Sequence, residues 1–317
     1  MLATVAMAMA ACSSNDDGTS PAAQNDTIEL TTGVARTRAT SQVIQSTQIE
    51  NGQNVWVEAT SSVVPTQKTG TGNGEWNTTT NTACAVYVGN GIGNLSSTTP
   101  IKWPINSSTG TETVSLKAWA PFSSALTPGT TTFQVQADQT TEAAYLASDY
   151  LYAEKSGIVR SDIISPVPLT FNHMLSKINV NLFAIDPSTT PIDGATVEFG
   201  PASLEQQAVI NPNGTVTKNN AVQGKVTLTS SLEAAHTCSA IIIPQAITGS
   251  TTSPTDLFTI TLPGGAGTKS YQLTTNKSYD PKKEYTYNIT ISDGETIILS
   301  EQITDWVEGG PESVIAN

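Results

Sequence analysis

Apolar and polar residues alternate in short runs along this 317-residue chain, and this pattern constrains its fold more than any other feature. A period of two is typical of β-strands that bury one face and expose the other. Clear runs are residues 114–118, 133–137, 178–182 and 285–291. Turn-forming segments such as 70–74, 211–214 and 263–265 separate them. The pattern predicts an all-β protein of short strands, as in β-sandwiches.

The length of the chain favours two domains. Residues 165–168 read Ser-Pro-Val-Pro and interrupt the alternation, and proline removes backbone donors there. We therefore predict an N-terminal β-sandwich over residues 27–165 and a C-terminal β-sandwich over residues 166–317. Glu142, Ala143 and Ala144 favour one short helix in residues 141–146, within a connection.

Composition limits the classes of function. Only 13% of the residues are charged and the formal net charge is -13, which argues against nucleic-acid binding, because phosphate contacts need clustered Lys and Arg. Cys84 and Cys238 lie far apart in the sequence, so two free thiols are favoured over an interdomain disulfide, which stays open. Neither cysteine nor histidine has the spacing of a metal site, and we expect no metal and no cofactor.

The N-terminus has the layout of a bacterial lipoprotein signal. A short apolar leader ends at Cys12, after the small residues Ala10 and Ala11, and a polar run follows. The leader is too short to span a bilayer and lacks a positively charged start, which favours an upstream start codon. We expect residues 1–12 to be the signal, Cys12 to carry the lipid and residues 13–26 to form a flexible tether. The alternative is a buried apolar segment with an incidental cysteine.

Residues 27–34 are predicted to form a strand, and Arg36 and Arg38 follow at once. Arginine in an exposed loop of small residues is a good substrate for a trypsin-like protease. A cut there would detach strand 27–34 and expose a hydrophobic groove with unpaired backbone groups, which could accept a strand from another chain. The alternative is an ordinary first strand followed by a solvated basic loop.

No catalytic constellation is visible in the sequence, so we do not expect an enzyme. The chain has no Gly-x-Ser-x-Gly motif, and His173 lies in an alternating run, which favours a packing or hydrogen-bonding role. Trp76 follows a glycine-rich segment, and it is the tryptophan with the best case for exposure and for contact with a glycan. Trp56, Trp119 and Trp306 lie in strand-like runs that favour the core.

Several motifs in order along the chain resemble the fimbrillin-like proteins of Bacteroidales, the subunits of type V pili. The similar features are Cys12 with its acidic followers, the strand that ends at residues 36–38, Trp103-Pro104, and the segments 118–121, 148–151, 169–178, 242–245, 285–287 and 303–306. The resemblance implies two tandem transthyretin-like β-sandwich domains of Greek-key topology. It also implies export as a lipoprotein acylated at Cys12 and maturation by an arginine-specific protease at Arg36 or Arg38.

The same resemblance implies a structural and adhesive function at the cell surface. The protein would be held at the outer membrane by its lipid before cleavage and would join other pilin subunits afterwards by donor-strand exchange. The segment after Trp306 is short and contains Gly309-Gly310-Pro311, which is unfavourable for a donor strand, so tip, accessory and stalk roles all stay open. The alternative is a surface lipoprotein that does not polymerise and binds glycans or host ligands.

Overall fold

A computed structural model describes residues 27–34, 49–65, 74–104, 113–122, 124, 126–160, 166–186, 191–230, 236–292 and 296–306. Strands dominate these residues, as the alternation predicts. Up to residue 173 the elements are β1 Leu30–Val34, β2 Asn54–Ser61, β3 Trp76–Asn77, β4 Thr82–Gly89, β5 Asn94–Ser96, β6 Thr113–Ala120, β7 Thr132–Gln134, α1 Glu142–Ser148, β8 Leu151–Val159 and β9 Val167–His173.

The first sheet closes on itself. Its strands follow the order β2-β6-β8-β9-β1-β5-β4, and β4 pairs again with β2, while the short β3 adds to the free edge of β4. Closure removes the unpaired edges that an open sheet presents. The inward side chains of this ring form a first core, which contains Ile28, Leu30, Val57, Trp76, Tyr87, Leu116, Leu169 and Phe171 among others.

The rest of the chain adds thirteen strands among the described residues. They are β10 Ser176–Ala184, β11 Thr196–Phe199, β12 Gln207–Ile210, β13 Val216–Lys218, β14 Val226–Thr227, β15 Thr229–Ser230, β16 Thr237–Ile242, β17 Gln245–Ile247, β18 Thr255–Thr261, β19 Thr268–Leu273, β20 Lys277–Tyr279, β21 Lys283–Ile291 and β22 Thr296–Asp305. A short 3-10 turn at Pro263–Gly265 joins β18 to β19, where Gly264 and Gly265 have positive φ.

Two sheets form a sandwich in this second part. A five-stranded sheet in the order β15-β16-β10-β21-β22 packs on a four-stranded sheet in the order β14-β11-β18-β19. Their facing side chains make a second core, in which Phe258 of β18 meets Tyr287 of β21 across the two sheets with ring centroids 5.0 Å apart. Such tilted aromatic pairs are favourable beyond the area they bury.

The two parts are joined by strand pairing and by a third core. Strand β7 pairs antiparallel with β12, so the two parts share a three-stranded sheet with β13. The buried side-chain amide of Gln139 donates to the carbonyl of Ile241 at 2.8 Å and accepts from its N–H at 2.8 Å. The third core lies between the parts and contains Trp56, Trp119, Tyr150, Tyr152, Met174, Ile210, Ile243 and Trp306 among others.

Local predictions agree with these elements at most positions. Helix α1 begins after Thr141, whose hydroxyl accepts from the N–H of Ala144, and it extends to Ser148. The predicted strand at 133–137 is shorter, because β7 ends at Gln134. Cys84 and Cys238 are free. Burial raises the pKa of the Cys238 thiol to about 12.

The first sheet extends further along the chain than the predicted domain boundary after residue 165. That boundary would assign β9 to the C-terminal domain, yet β9 pairs with β1 and with β8 in the first sheet. The Ser-Pro-Val-Pro interruption therefore overlaps the start of β9, the last strand of this sheet along the chain. Proline is compatible with this position. Pro168 has no backbone N–H to donate, and β8 pairs with β9 only through Leu151 and Tyr152, at the other end of the strand.

A substitution in the turn between β12 and β13 can test the contact between the two parts. Gly214 has a φ of 78° and lies against the ring of Tyr152, so an added Cβ would overlap that ring. We expect Gly214→Ala to lower the free energy of unfolding by about 1–2 kcal/mol for the left-handed conformation and by about 1–3 kcal/mol more for the overlap. Chemical denaturation followed by tryptophan fluorescence measures this.

Gly194→Ala is the matched control for this variant. Gly194 has a φ of 84°, and nothing lies within 4 Å of an added Cβ. It should therefore show the conformational cost alone. Equal losses in the two variants would contradict a close packing of this turn on Tyr152.

Candidate functional site

The first strand, β1, occupies a slot whose two sides come from distant segments. On one side β9 runs parallel to it, from Leu30 opposite Val167 to Val34 opposite Phe171. On the other side β5 pairs antiparallel at two positions, and an isolated bridge joins Thr27 to Lys102. We call the space between β9 and residues 93–102 the β1 slot. Without β1, the ring of the first sheet would be open at this point.

Side chains of β1 alternate between the first core and the outer surface. Ile28, Leu30 and Thr32 are buried, whereas Glu29 is exposed. The walls of the slot bury Leu95, Ile101, Val167, Leu169 and Phe171. The strand therefore fills an apolar groove, which would lose the contacts of Ile28 and Leu30 if β1 left it.

Backbone hydrogen bonds hold β1 on both edges. The N–H of Ile28 donates to the carbonyl of Ile101 at 2.9 Å, and the N–H of Thr32 donates to that of Gly93 at 2.8 Å. The N–H of Val167 donates to the carbonyl of Glu29 at 2.7 Å. Both walls of the slot thus present donors and acceptors that an extended strand satisfies.

The floor of the slot is buried and largely apolar. Tyr87 lies in the first core and its hydroxyl accepts from the N–H of Ile101 at 2.9 Å. Burial raises the pKa of Tyr87 to about 12, because the phenolate would lose its hydration there. A low-polarity floor suits an occupant with apolar side chains at alternate positions.

The predicted processing and lipid sites lie beside this slot in the sequence. Arg36 lies two residues after the end of β1, and Arg38 lies four residues after it. Cys12 precedes β1 in the sequence. All three lie outside the described residues. Their roles therefore stay predictions.

Trp76, the candidate ligand-contact residue, lies inside the protein. The sequence gave it the best case for exposure among the tryptophans, but it is fully buried in the first core. Its strand β3 pairs with β4, with Trp76 opposite Ala83. Its indole N–H donates to the carbonyl of Lys102 at 2.9 Å, so both the apolar ring and the polar group are satisfied inside. Trp76 cannot stack on a sugar in this state.

Three separate motifs meet where the two parts of the chain join. The side chain of Asp149 is buried and its Oδ1 lies 2.9 Å from His173 Nδ1. The imidazole stacks on the ring of Trp306, with centroids 4.1 Å apart and planes 8° apart. The expected packing and hydrogen-bonding role of His173 is confirmed. The sequence motifs gave no sign that His173, at the end of β9, contacts Trp306, which follows the last strand.

A family model described as fimbrillin-like matches residues 37–306, well over half of the chain. The chain belongs to the fimbrillin-like family. The resemblance read from the sequence motifs is thereby confirmed.

Solved structures with the same fold come from Bacteroides. A putative cell adhesion protein from Bacteroides uniformis is 18% identical with a TM-score of 0.60, and the match covers 89% of this fimbrillin-like chain and 98% of the other. A putative cell adhesion protein from Bacteroides ovatus is 18% identical with a TM-score of 0.58, covering 90% and 99%. These likenesses show the fold. Comparison with curated protein sequences gave no match.

The seating of β1 in its slot can be measured with two substitutions on neighbouring residues. Leu30 faces the first core and Thr31 points away from it, although both pair with β5 and with β9. We expect Leu30→Ala to lower the free energy of unfolding by about 2–5 kcal/mol, because it leaves a cavity under β1. Thr31→Ala should cost less than about 1 kcal/mol. Denaturation curves of both variants measure these changes. Similar losses of unfolding free energy in the two variants would contradict the seating of β1 in its slot.

Proposed function

We propose that this protein is a structural and adhesive pilus subunit, exported as a lipoprotein through Cys12 and activated by proteolysis. An arginine-specific protease cuts after Arg36 or Arg38, β1 leaves its slot, and a strand of another subunit takes its place. The observation that carries this proposal is the position of β1, a terminal strand that closes the first sheet and is followed within four residues by two arginines.

The pairing of β1 makes exchange physically reasonable. A parallel pair is slightly less stable per residue than an antiparallel one, and β1 has five parallel partners in β9 but only two antiparallel partners in β5. Removal would expose the apolar floor of the slot together with unpaired backbone groups on both walls. An incoming extended strand would bury the apolar floor and pair with the backbone groups of both walls, which is β-augmentation.

The family match supports the same division of the chain. It begins at residue 37, between Arg36 and Arg38, and so leaves β1 outside. Cleavage there would release the lipid on Cys12 and β1 together. The proposed location is therefore the outer membrane before cleavage and a pilus at the cell surface afterwards. The partners are other pilin subunits and the protease.

We also propose that the two parts are tandem transthyretin-like domains. The division that fits the sheets lies after His173, where β9 ends and the chain enters β10.

The alternative, a surface lipoprotein that binds glycans without polymerising, loses its predicted aromatic contact because Trp76 is buried. No helix in the described part of the chain is long and apolar enough to cross a membrane.

The cleavage step can be tested with an arginine-specific endopeptidase. Arg36, Arg38 and Arg160 are the three arginines of the chain. We expect brief treatment of the folded protein to give one large fragment that begins at Thr37 or Ala39, as shown by N-terminal sequencing and intact mass. The double variant Arg36→Ala, Arg38→Ala should resist, while Arg160→Ala should be cut like the wild type. A first cut at Arg160 would contradict the proposal.

Strand exchange can be tested on the cut protein once the fragment with β1 is removed. We expect it to oligomerise, as measured by light scattering, and to be stabilised by a synthetic peptide of residues 27–34. The same peptide with Leu30→Asp should not stabilise it, because a carboxylate cannot enter the apolar slot without a large desolvation cost. Donor-strand assembly would be contradicted if the cut protein stays monomeric and neither peptide stabilises it.

A further inference from the structure

One side chain of β1 fits the β1 slot less well than its neighbours. Thr32 is the third inward-facing residue of this segment, after Ile28 and Leu30, and it is 9% exposed. Its hydroxyl oxygen is buried and has no hydrogen-bond partner among the described residues. A hydroxyl group can donate and accept, so burying it without a partner costs free energy that an apolar group of the same shape does not lose.

The two walls of the slot explain why this hydroxyl stays unpaired. On the β9 side, Thr32 lies opposite Leu169, which is buried and apolar. On the other side, the N–H of Thr32 donates to the carbonyl of Gly93 at 2.8 Å, and Gly93 has no side chain that could bond the hydroxyl. Neither wall therefore offers a polar side chain at this position.

The next residue of β1 weakens the strand further. Gly33 follows Thr32 and lies opposite Thr170 of β9. A glycine inside a strand loses more conformational freedom when it is ordered, and it has no side chain to pack. The large apolar contacts of the strand therefore come from Ile28 and Leu30. A strand with aliphatic residues at all three inward positions would keep these contacts and avoid the cost of the buried hydroxyl.

We propose that position 32 of the slot sets the preference for the incoming strand. The slot binds most tightly an extended segment of another pilin subunit that has valine opposite Leu169, because valine has the shape of threonine without its hydroxyl. The threonine makes β1 the weaker occupant, so replacement by such a strand is favourable. This inference rests on the proposed donor-strand function and adds the residue type that the slot selects.

The preference can be measured by calorimetry on the cut protein, after the fragment with β1 is removed. The probes are three synthetic peptides of residues 27–34: the native sequence, Thr32→Val and Thr31→Val. We expect Thr32→Val to bind about five- to tenfold more tightly than the native peptide, because it removes the unpaired hydroxyl. Thr31→Val is the matched control, since the same change is made on the outward-facing neighbour, and its affinity should stay within about twofold of the native value.

The same two substitutions in the uncut chain give a measurement that does not depend on cleavage. Thr32→Val should raise the denaturation midpoint, and Thr31→Val should leave it nearly unchanged. If the native peptide binds and Thr32→Val binds no more tightly, the preference at position 32 is overturned while donor-strand assembly stands. If no peptide binds the cut protein, donor-strand assembly fails and the preference fails with it. A lower midpoint for Thr32→Val than for the wild type would also overturn the preference.

Discussion

The parallel pairing between β1 and β9 is the contact on which the closure of the first sheet depends. Every other neighbouring pair in that ring is antiparallel. A parallel neighbour needs a long crossover, and here the crossover spans most of the first part of the chain. A terminal strand added in this way can leave without breaking a hairpin, because no tight turn connects it to either neighbour.

The rest of the first sheet has its own support. Strands β2, β4, β6 and β8 form long antiparallel pairs, and their outer face packs in the third core against the second part. Strand β9 depends more on β1, since β8 meets it only at Leu151 and Tyr152. Its end is nonetheless held by His173, between Asp149 and Trp306. Loss of β1 would therefore loosen β9 at its start while its end stays anchored.

Local patterns predicted the strands and helix α1 well, because alternation and capping act over a few residues. These local patterns could not predict which strands pair with each other in the first sheet. Nothing in residues 167–173 distinguishes a strand that pairs with β1 from one that begins a new domain, since the pairing joins residues far apart in sequence. The burial of Trp76 could not be predicted for a similar reason. Its glycine-rich neighbour suggested exposure, but burial was decided by Ala83 and Lys102.

The scarcity of arginine gives the proposed cleavage its selectivity. Two of the three arginines follow β1 directly, and the third, Arg160, follows β8, whose last residue Val159 pairs with Thr113 of β6. A protease needs several residues of extended backbone free of a ladder, and pairing of this kind hinders it. An enzyme that reads only arginine can thus act on a folded subunit without a recognition surface of its own. A lysine-specific enzyme would meet many more sites, several of them on strands such as β6, β19 and β21.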